Sequence, residues 1–290
     1  MLNRLFGNYL VQKKMITQEQ LDALLPVPKE AKADISTIAV INKVLAAPQV
    51  IALLSGIDTN RERFGDVAVK KGILSDDSLE QLITYQSNSF MVFMQLLLNN
   101  RFLMLEQIGP LLESFSSEGQ YTPPQMEALI LDDLEQIVTI FAPMRNDKLK
   151  NYTLTMIRTF RRLVDKDIYM EKAYVTHSIQ IDHYAAQLIT GDFRFKVYLS
   201  GTFDNLLGVA NYFADGSYKN IDEDALDNVG EFINCVNGLF ATGLSYDEIM
   251  VDMDSPEYSM NGPFISNGKL YVLPIHVNGC SIRAVYEVFE

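Results

Sequence analysis

Three polar residues, Asp227, Glu231 and Asn234, are spaced so that a helix would bring their side chains together. Separations of four and three residues place them on adjacent turns of one stripe. Glu231 offers a carboxylate. Asn234 offers a carboxamide, which can accept a hydrogen bond from a water molecule and donate one to it without carrying charge. Gly238, one turn further, would leave bare backbone beside the carboxamide. The spacing therefore predicts an exposed docking surface.

The helix that must carry these residues has a clear apolar face. On a helical wheel, the apolar side chains of residues 223–240 fill one arc of roughly 140°, and the residues outside it are polar, Gly or Cys. The arc contains Leu239, Phe232, Ala225, Val236, Val229, Phe240, Ile233 and Leu226. We expect this arc to pack on a sheet, with the polar stripe near the middle of the other face. Because glycine costs about 1 kcal/mol against alanine inside a helix, we expect Gly230 and Gly238 to admit a packed strand or a docked partner.

The segments around this helix predict an α+β fold for residues 151–290. Alternating segments rich in β-branched and aromatic residues indicate strands. They are KAYVTHSIQI, FRFKVYLSG, KLYVLPIHV and CSIRAVYEVF. The segments YTLTMIRTFRRLVD and TFDNLLGVANYFAD are typical of helices. We therefore expect helices packed on a mixed or antiparallel sheet.

Residues 1–100 predict an all-helical domain with an internal repeat. The segments at about 4–25 and 62–86 align at an offset of 58 residues, so that Phe6 matches Phe64 and Gly7 matches Gly65. Each copy has a helix, a short turn, a Ser or Thr suited to cap the next helix, and a second amphipathic helix. An insert separates the copies. Residues 101–150, which include the segment SFSSEGQYTPPQ, are interpreted as a helical linker region.

The bulk composition narrows the classes of function. The chain has 290 residues, of which 48% are hydrophobic, and a formal net charge of -13. Because an acidic chain repels a phosphate backbone, nucleic acid is not an expected partner. No apolar run reaches the length of about 18 residues that predicts a membrane span. The two cysteines and three histidines have no metal-binding spacing. We expect a cytoplasmic protein without a metal site.

The stretch DALDNVGEFINCVNGLFATGL, followed by DSP at residues 254–256, resembles the Glu-x-x-Asn helix of the CheC/CheX/FliY chemotaxis phosphatases. The motif positions of that family are filled here by Asp227, Glu231, Asn234 and Pro256. The segment FKVYLSGTFDNLLGVANYF resembles the strand and helix that precede the motif in CheX, and KLYVLPIHVNGCSIRAVYEV resembles its closing strand pair. Because the motif occurs once, the resemblance is closer to CheX and implies a CheX-like α/β sandwich.

The resemblance implies a phosphatase that hydrolyses the aspartyl phosphate of a CheY-like response regulator. It implies that Asn234 orients the attacking water, that Glu231 pairs with a lysine of the receiver domain, and that Asp227 and Gly238 contact this partner. No cofactor is expected on this chain, and Mg²⁺ is expected on the partner receiver domain. CheX-like proteins pair through sheet edges, so a homodimer is also expected. The alternative is a non-catalytic adaptor that only binds a receiver or dimerises.

The N-terminal repeats resemble the MshE-type helical domain that precedes type II secretion ATPases. Some members of that group bind cyclic di-GMP through paired motifs. The second copy keeps Arg63, Gly65 and Gln86 at motif positions, whereas the first copy has Leu5 in place of the Arg, Lys14 in place of a later Gly, and Pro28 in place of the Gln. The resemblance leaves two functions open for this domain, which are nucleotide binding and protein docking.

Overall fold

The computed structural model describes residues 1–58, 62–181, 183–214, 216, 218–220, 222–260, 268–277 and 279–289. The chain divides into two compact units, Met1–Asp133 and Leu134–Glu290. This division differs from the predicted domains at 1–100, 101–150 and 151–290, because the helices of the predicted linker each belong to one of the two units. Among the described residues, no helix combines the length and apolar character needed to cross a membrane.

The described residues of the first unit form nine helices. They are α1 (Leu2–Gln12), α2 (Gln18–Leu24), α3 (Ile35–Ile41), α4 (Ala47–Leu54), α5 (Phe64–Lys70), α6 (Asp76–Thr84), α7 (Ser89–Asn99), α8 (Leu105–Gly119) and α9 (Pro123–Leu131). Buried aliphatic and aromatic residues of these helices form its core. An all-helical N-terminal domain was predicted, and the helices extend beyond its predicted end at residue 100.

Helices α1 to α8 form four hairpins, and their turns recur every 29 residues. In each turn one residue has a positive φ, and these residues are Lys14, Lys43, Gly72 and Arg101. The amide of the following residue donates to a carbonyl of the preceding helix, in the pairs Met15–Leu10, Val44–Ala39, Ile73–Ala68 and Phe102–Leu97. The next residue is a buried aliphatic side chain, namely Ile16, Leu45, Leu74 and Leu103. The four turns therefore share one backbone geometry and one hydrophobic anchor.

The sequence pattern revealed only two of these four copies. Its offset of 58 residues is two periods of 29. The second hairpin lies in the predicted insert, and the fourth follows the second predicted copy and crosses the predicted boundary at residue 100. These copies lack the expected signal because Ala46 and Met104, which precede α4 and α8, have no capping hydroxyl. Instead, the side-chain oxygens of Gln49 and Gln107 accept hydrogen bonds from the Ala46 and Met104 amides.

In the first and third hairpins, a leucine of the second helix packs against a glycine of the first. A Cβ atom at Gly7 would lie 2.2 Å from Leu21 Cδ1, and one at Gly65 would lie 2.6 Å from Leu79 Cδ1. A side chain cannot occupy that space unless the leucine moves, so the glycines allow the close approach of the two helices. This contact gives Gly65 a packing role.

We expect Gly7→Ala to lower the free energy of unfolding by about 1–3 kcal/mol, because the new methyl group overlaps Leu21 in a filled core. Helix propensity alone would favour alanine by about 1 kcal/mol, so a loss of stability would show that the overlap with Leu21 outweighs this gain. Urea unfolding of the full chain measures the effect. In a double-mutant cycle, Gly7→Ala should become neutral or stabilising once Leu21→Ala has removed the leucine. Additive free energies in this cycle would contradict the packing.

The second unit has the predicted α+β fold. Its strands are β1 (Tyr169–Met170), β2 (Tyr174–Thr176), β3 (His183–Gly191), β4 (Phe195–Gly201), β5 (Val251–Met253), β6 (Glu257–Ser259), β7 (Leu270–Val277) and β8 (Cys280–Val288). They form an eight-stranded sheet in the order β1-β7-β8-β4-β3-β5, with β2 beside β7 and β6 beside β3. The strand pairs are antiparallel. The helices of this unit are α10 (Leu134–Phe141), α11 (Asp147–Leu163), α12 (Phe203–Ala214) and α13 (Glu223–Ser245).

An aromatic cluster lies between the sheet and the helices α11 and α13. The Tyr152 ring contacts Phe195, Phe240 and Tyr286 edge to face, with centroids 4.8, 5.1 and 5.7 Å apart. Such pairs stabilise a core beyond the area that they bury. A smaller cluster comprises Ile179, Ile181, Ala186, Tyr198, Leu270, Val272 and Val285. Because neighbouring strand residues point to opposite faces, this second cluster covers the other face of the sheet.

Candidate functional site

Helix α13 carries the predicted site residues. It begins after Asp222, whose side chain accepts a hydrogen bond from the Ala225 amide at 3.0 Å. Glu223 and Asp224 place negative charge in the first turn, where the helix dipole favours it. The helix continues to Ser245, packs on β3 and β4, and contacts α11 and α12. It therefore includes the whole predicted polar stripe.

The buried face of α13 is turned by about 30° from the predicted apolar arc, toward the polar stripe. Leu239, which was assigned to the apolar arc, is 52% exposed. Asn237 and Gly230, which were assigned to the residues outside the arc, are buried. The prediction was wrong at these positions because it weighed hydrophobicity alone, whereas β3 offers Asn237 a polar partner.

A network of buried hydrogen bonds connects α11, α13 and β3. The Tyr152 hydroxyl donates to Asn237 Oδ1 at 2.6 Å, and Asn237 Nδ2 donates to Gln187 Oε1 at 2.7 Å. Gln187 Nε2 donates to the backbone carbonyl of Asp254 at 2.7 Å and to Asn234 Oδ1 at 3.0 Å. Burial raises the pKa of Tyr152 well above its ordinary value, so this hydroxyl keeps its proton. We call the side chains of Tyr152, Asn237, Gln187 and Asn234 the amide network.

Asn234 ends the amide network at the protein surface. Its side chain is half-buried, and its Nδ2 atom lies 3.5 Å from Glu231 Oε2, a long hydrogen bond. The expectation that Asn234 lies near the middle of the exposed face was wrong, because it lies where that face meets β3. Glu231 and Asp227 are exposed, and Gly238 is half-exposed. The structure thus brings the carboxylate and the carboxamide together at an accessible edge of the helix.

The segment between β5 and β6 crosses α13 at Gly230. Both strands pair with β3, and the Asp254 amide donates to the Leu188 carbonyl at 3.0 Å. A Cβ atom at Gly230 would lie 3.1 Å from Pro256 Cβ, so this glycine admits the proline side chain. At Gly238, by contrast, an added Cβ would meet no atom of the described residues within 4 Å. Gly230 therefore has an internal packing role, and Gly238 leaves open surface beside Asn234.

The candidate nucleotide-binding residues of the first unit have the following positions. Arg63 is exposed at the start of α5. Gly65 accommodates Leu79, and Gln86 exchanges hydrogen bonds with the backbone of Ala33 through its side-chain amide and its carbonyl. Nucleotide binding at these residues stays a prediction. Within the described ranges, no group of three or more His, Cys, Asp or Glu side chains is arranged to hold a metal ion.

Sequence reasoning missed Gln187 and Asn237, although both are central to the site. Gln187 is 1% exposed and stands on β3 between the buried residues Ala185 and Ile189 of the same face. Asn237 is fully buried, one helical turn after Ile233. A polar residue at an inward position of a strand or helix signals a required hydrogen-bond partner. Pairing these two residues required knowledge that β3 and α13 meet.

The sequence matches no protein-family model and no curated protein. The structure is similar to a CheC-like superfamily protein from Shewanella sp. PV-4, at TM-score 0.45 and 16% identity, over 51% of this chain and 100% of that chain. It is similar to the chemotaxis protein CheX from Desulfovibrio desulfuricans, at TM-score 0.43 and 16% identity, over 50% and 100%.

A further similar structure is the CheX–CheY–BeF3–Mg²⁺ complex from Borrelia burgdorferi, at TM-score 0.40 and 16% identity, over 50% of this chain and 98% of that chain. These structural neighbours are CheC-like and CheX chemotaxis proteins, the group that the sequence motif resembles.

We expect Asn237→Ala to lower the free energy of unfolding by about 2–4 kcal/mol. The Tyr152 hydroxyl and the side-chain oxygen Oε1 of Gln187 would lose their hydrogen-bond partner inside the core. Urea unfolding measures the loss. The matched control is Asn228→Ala on the same helix, where the half-buried side-chain amide donates to the Asp224 carbonyl and to the Tyr218 hydroxyl, neither of which belongs to a buried residue. This control should lose less than about 1 kcal/mol. Equal losses in the two variants would contradict the role of the amide network.

Proposed function

We propose that this protein is a phosphatase that hydrolyses the aspartyl phosphate of a CheY-like response regulator. The observation that carries the proposal is the contact between Glu231 and Asn234 at an exposed edge of α13, with the Asn234 carboxamide held from inside by Gln187. These residues stand in a Glu-x-x-Asn motif, followed by Pro256, that resembles the CheC/CheX/FliY phosphatases. The buried support favours a side chain whose orientation matters for function.

In the proposed reaction, water attacks the phosphorus atom in line with the bond to the aspartyl oxygen. A bond forms between the water oxygen and phosphorus, and the bond from phosphorus to the aspartyl oxygen breaks. The receiver regains its aspartate carboxylate, and both protons of the water remain with the inorganic phosphate. Phosphoryl transfer of this kind depends mainly on positioning and on neutralisation of the phosphoryl charge.

The chemical roles divide between the two proteins in this proposal. The receiver domain supplies Mg²⁺ and a lysine that neutralise the phosphoryl oxygens, and this chain needs no cofactor of its own. Asn234 supplies the position of the attacking water. An uncharged carboxamide suits this task, because it can hydrogen-bond to water without repelling the phosphoryl group. Holding reactants in an attacking geometry is itself a large contribution to rate.

The stripe around Asn234 supplies the docking surface in this proposal. Glu231 would pair with the receiver lysine, and the exposed carboxylate of Asp227 would add negative charge beside it. Gly238 would let the backbone of the partner approach closely, since an added Cβ there meets only open space among the described residues. A homodimer paired through the edges of the sheet also belongs to this proposal.

We expect Asn234→Ala to reduce kcat by about 100-fold or more, because the attacking water would lose its position. The affinity for the receiver should change little, since Glu231 remains. The measurement is phosphate release from phosphorylated receiver domains in the presence of Mg²⁺, together with a binding titration and a circular dichroism spectrum.

Cys235→Ala is the matched control for this variant. Cys235 is the next residue of α13 and is exposed, so its replacement should leave kcat unchanged. An Asn234→Ala variant that keeps the wild-type kcat would contradict the assignment of Asn234. Wild-type protein that binds a receiver but hydrolyses none would instead favour the non-catalytic adaptor.

A second prediction concerns the docking surface at Gly238. We expect Gly238→Ala to raise the free energy of unfolding by about 0.4–1 kcal/mol, since its methyl group meets open space. The same methyl group should weaken receiver binding. Gly243→Ala is the matched control. A Cβ atom added at Gly243 would also meet no atom of the described residues within 4 Å, and Gly243 lies on another side of α13. It should stabilise the fold equally and leave binding unchanged, and equal receiver affinities of the two variants would contradict a partner seated beside Gly238.

A further inference from the structure

We propose that Gln187 is a positioning residue that fixes which way the Asn234 carboxamide faces, with the amide nitrogen outward. This inference rests on the proposed phosphatase function and deepens it. It concerns a residue of β3 that lies outside the Glu-x-x-Asn motif and stands 47 positions before Asn234. The inference follows from the donor and acceptor chemistry of three groups that meet in the core.

The backbone carbonyl of Asp254 sets the direction of the whole arrangement. A carbonyl oxygen can only accept a hydrogen bond, so the Gln187 atom that lies 2.7 Å from it must be a donor. That atom is therefore Nε2, and the other atom of the same amide, Oε1, points toward Asn237 Nδ2 at 2.7 Å. If the Gln187 amide were reversed, two carbonyl oxygens would face each other at the distance of a hydrogen bond.

The orientation of Gln187 then dictates the orientation of Asn234. The second hydrogen of Gln187 Nε2 points to an atom of Asn234 at 3.0 Å, so that atom must be the acceptor Oδ1. Asn234 Nδ2 is therefore turned toward Glu231 and the outside. In the proposed reaction, the attacking water would accept a hydrogen bond from this outward amide nitrogen.

The position of the Asp254 carbonyl is itself held on two sides. The Asp254 amide donates to the Leu188 carbonyl of β3 at 3.0 Å, and Pro256, two residues later, packs on Gly230 of α13. Gln187 is 1% exposed, so bulk water does not compete for its hydrogen bonds. The proline that follows the motif thus has a physical role, because it helps to hold the carbonyl that orients Gln187.

Gln187→Met tests this inference, because methionine has nearly the same volume and cannot donate a hydrogen bond. The experiment compares wild type and variant in kcat for phosphate release and in affinity for the receiver activated with beryllofluoride and Mg²⁺. We expect kcat to fall by about 10- to 100-fold, because small misplacements of reacting groups reduce the rate by such factors. The affinity should stay at the wild-type value, because Glu231, Asp227 and Gly238 are unchanged. A purely structural role would not separate these two quantities.

The control for loss of stability alone is Tyr286→Phe. The Tyr286 hydroxyl is buried in the same unit and contacts Thr153 Oγ1 at 3.3 Å, outside the amide network. This variant should keep the wild-type kcat. If Gln187→Met does not fold, Pro256→Ala replaces it, since that change loosens the Asp254 carbonyl without leaving a buried polar group unpaired. It should also lower kcat at unchanged affinity.

The outcomes separate this inference from the proposed function. A wild-type kcat in Gln187→Met, or in Pro256→Ala where the first variant does not fold, overturns the positioning role alone. A parallel loss of kcat and affinity overturns it as well, because that result shows a general distortion of the surface. Wild-type protein that hydrolyses no phosphorylated receiver overturns the proposed function, and the positioning role falls with it.

Discussion

The hydrogen bond between Gln187 and Asn237 is the interaction on which the arrangement of the candidate site depends. It joins β3 to α13 at 2.7 Å, and the two residues are 1% and 0% exposed. Leaving a buried amide without a partner costs roughly 2–7 kcal/mol, so the strand and the helix are held where the pair can form. Apolar contacts alone would tolerate a modest rotation of the helix, whereas this directional bond does not.

The rotation that this bond imposes on α13 accounts for the exposure of its other residues. In this orientation Leu239 is 52% exposed, and Gly230 contacts Pro256. The rotation also moves Asn234 from the exposed face to the boundary with β3, where Gln187 can reach it. A surface carboxamide is thereby tied to the core. Its conformational freedom is reduced before any partner binds, which is the condition that catalysis by positioning requires.

The first unit follows a different rule, in which one hairpin is repeated every 29 residues. The turns need a residue with positive φ, yet only Gly72 among the four is a glycine, and the others are lysine or arginine. The buried aliphatic residue that ends each turn holds this backbone in place. Turn propensity therefore revealed little of the repeat, because packing between helices specifies the turns.

The sequence by itself determined the local periodicities and what depends on them. It predicted the α+β class, the helix that carries Asp227, Glu231 and Asn234, and their common stripe, because a helix has a fixed angle per residue. It predicted two of the four hairpins, since only those two have a capping hydroxyl before the second helix. Only the tertiary structure decided the rotation of α13, the burial of Asn237 and the support of Asn234 by Gln187. These features depend on hydrogen bonds between residues 47 to 85 positions apart, which no local pattern encodes.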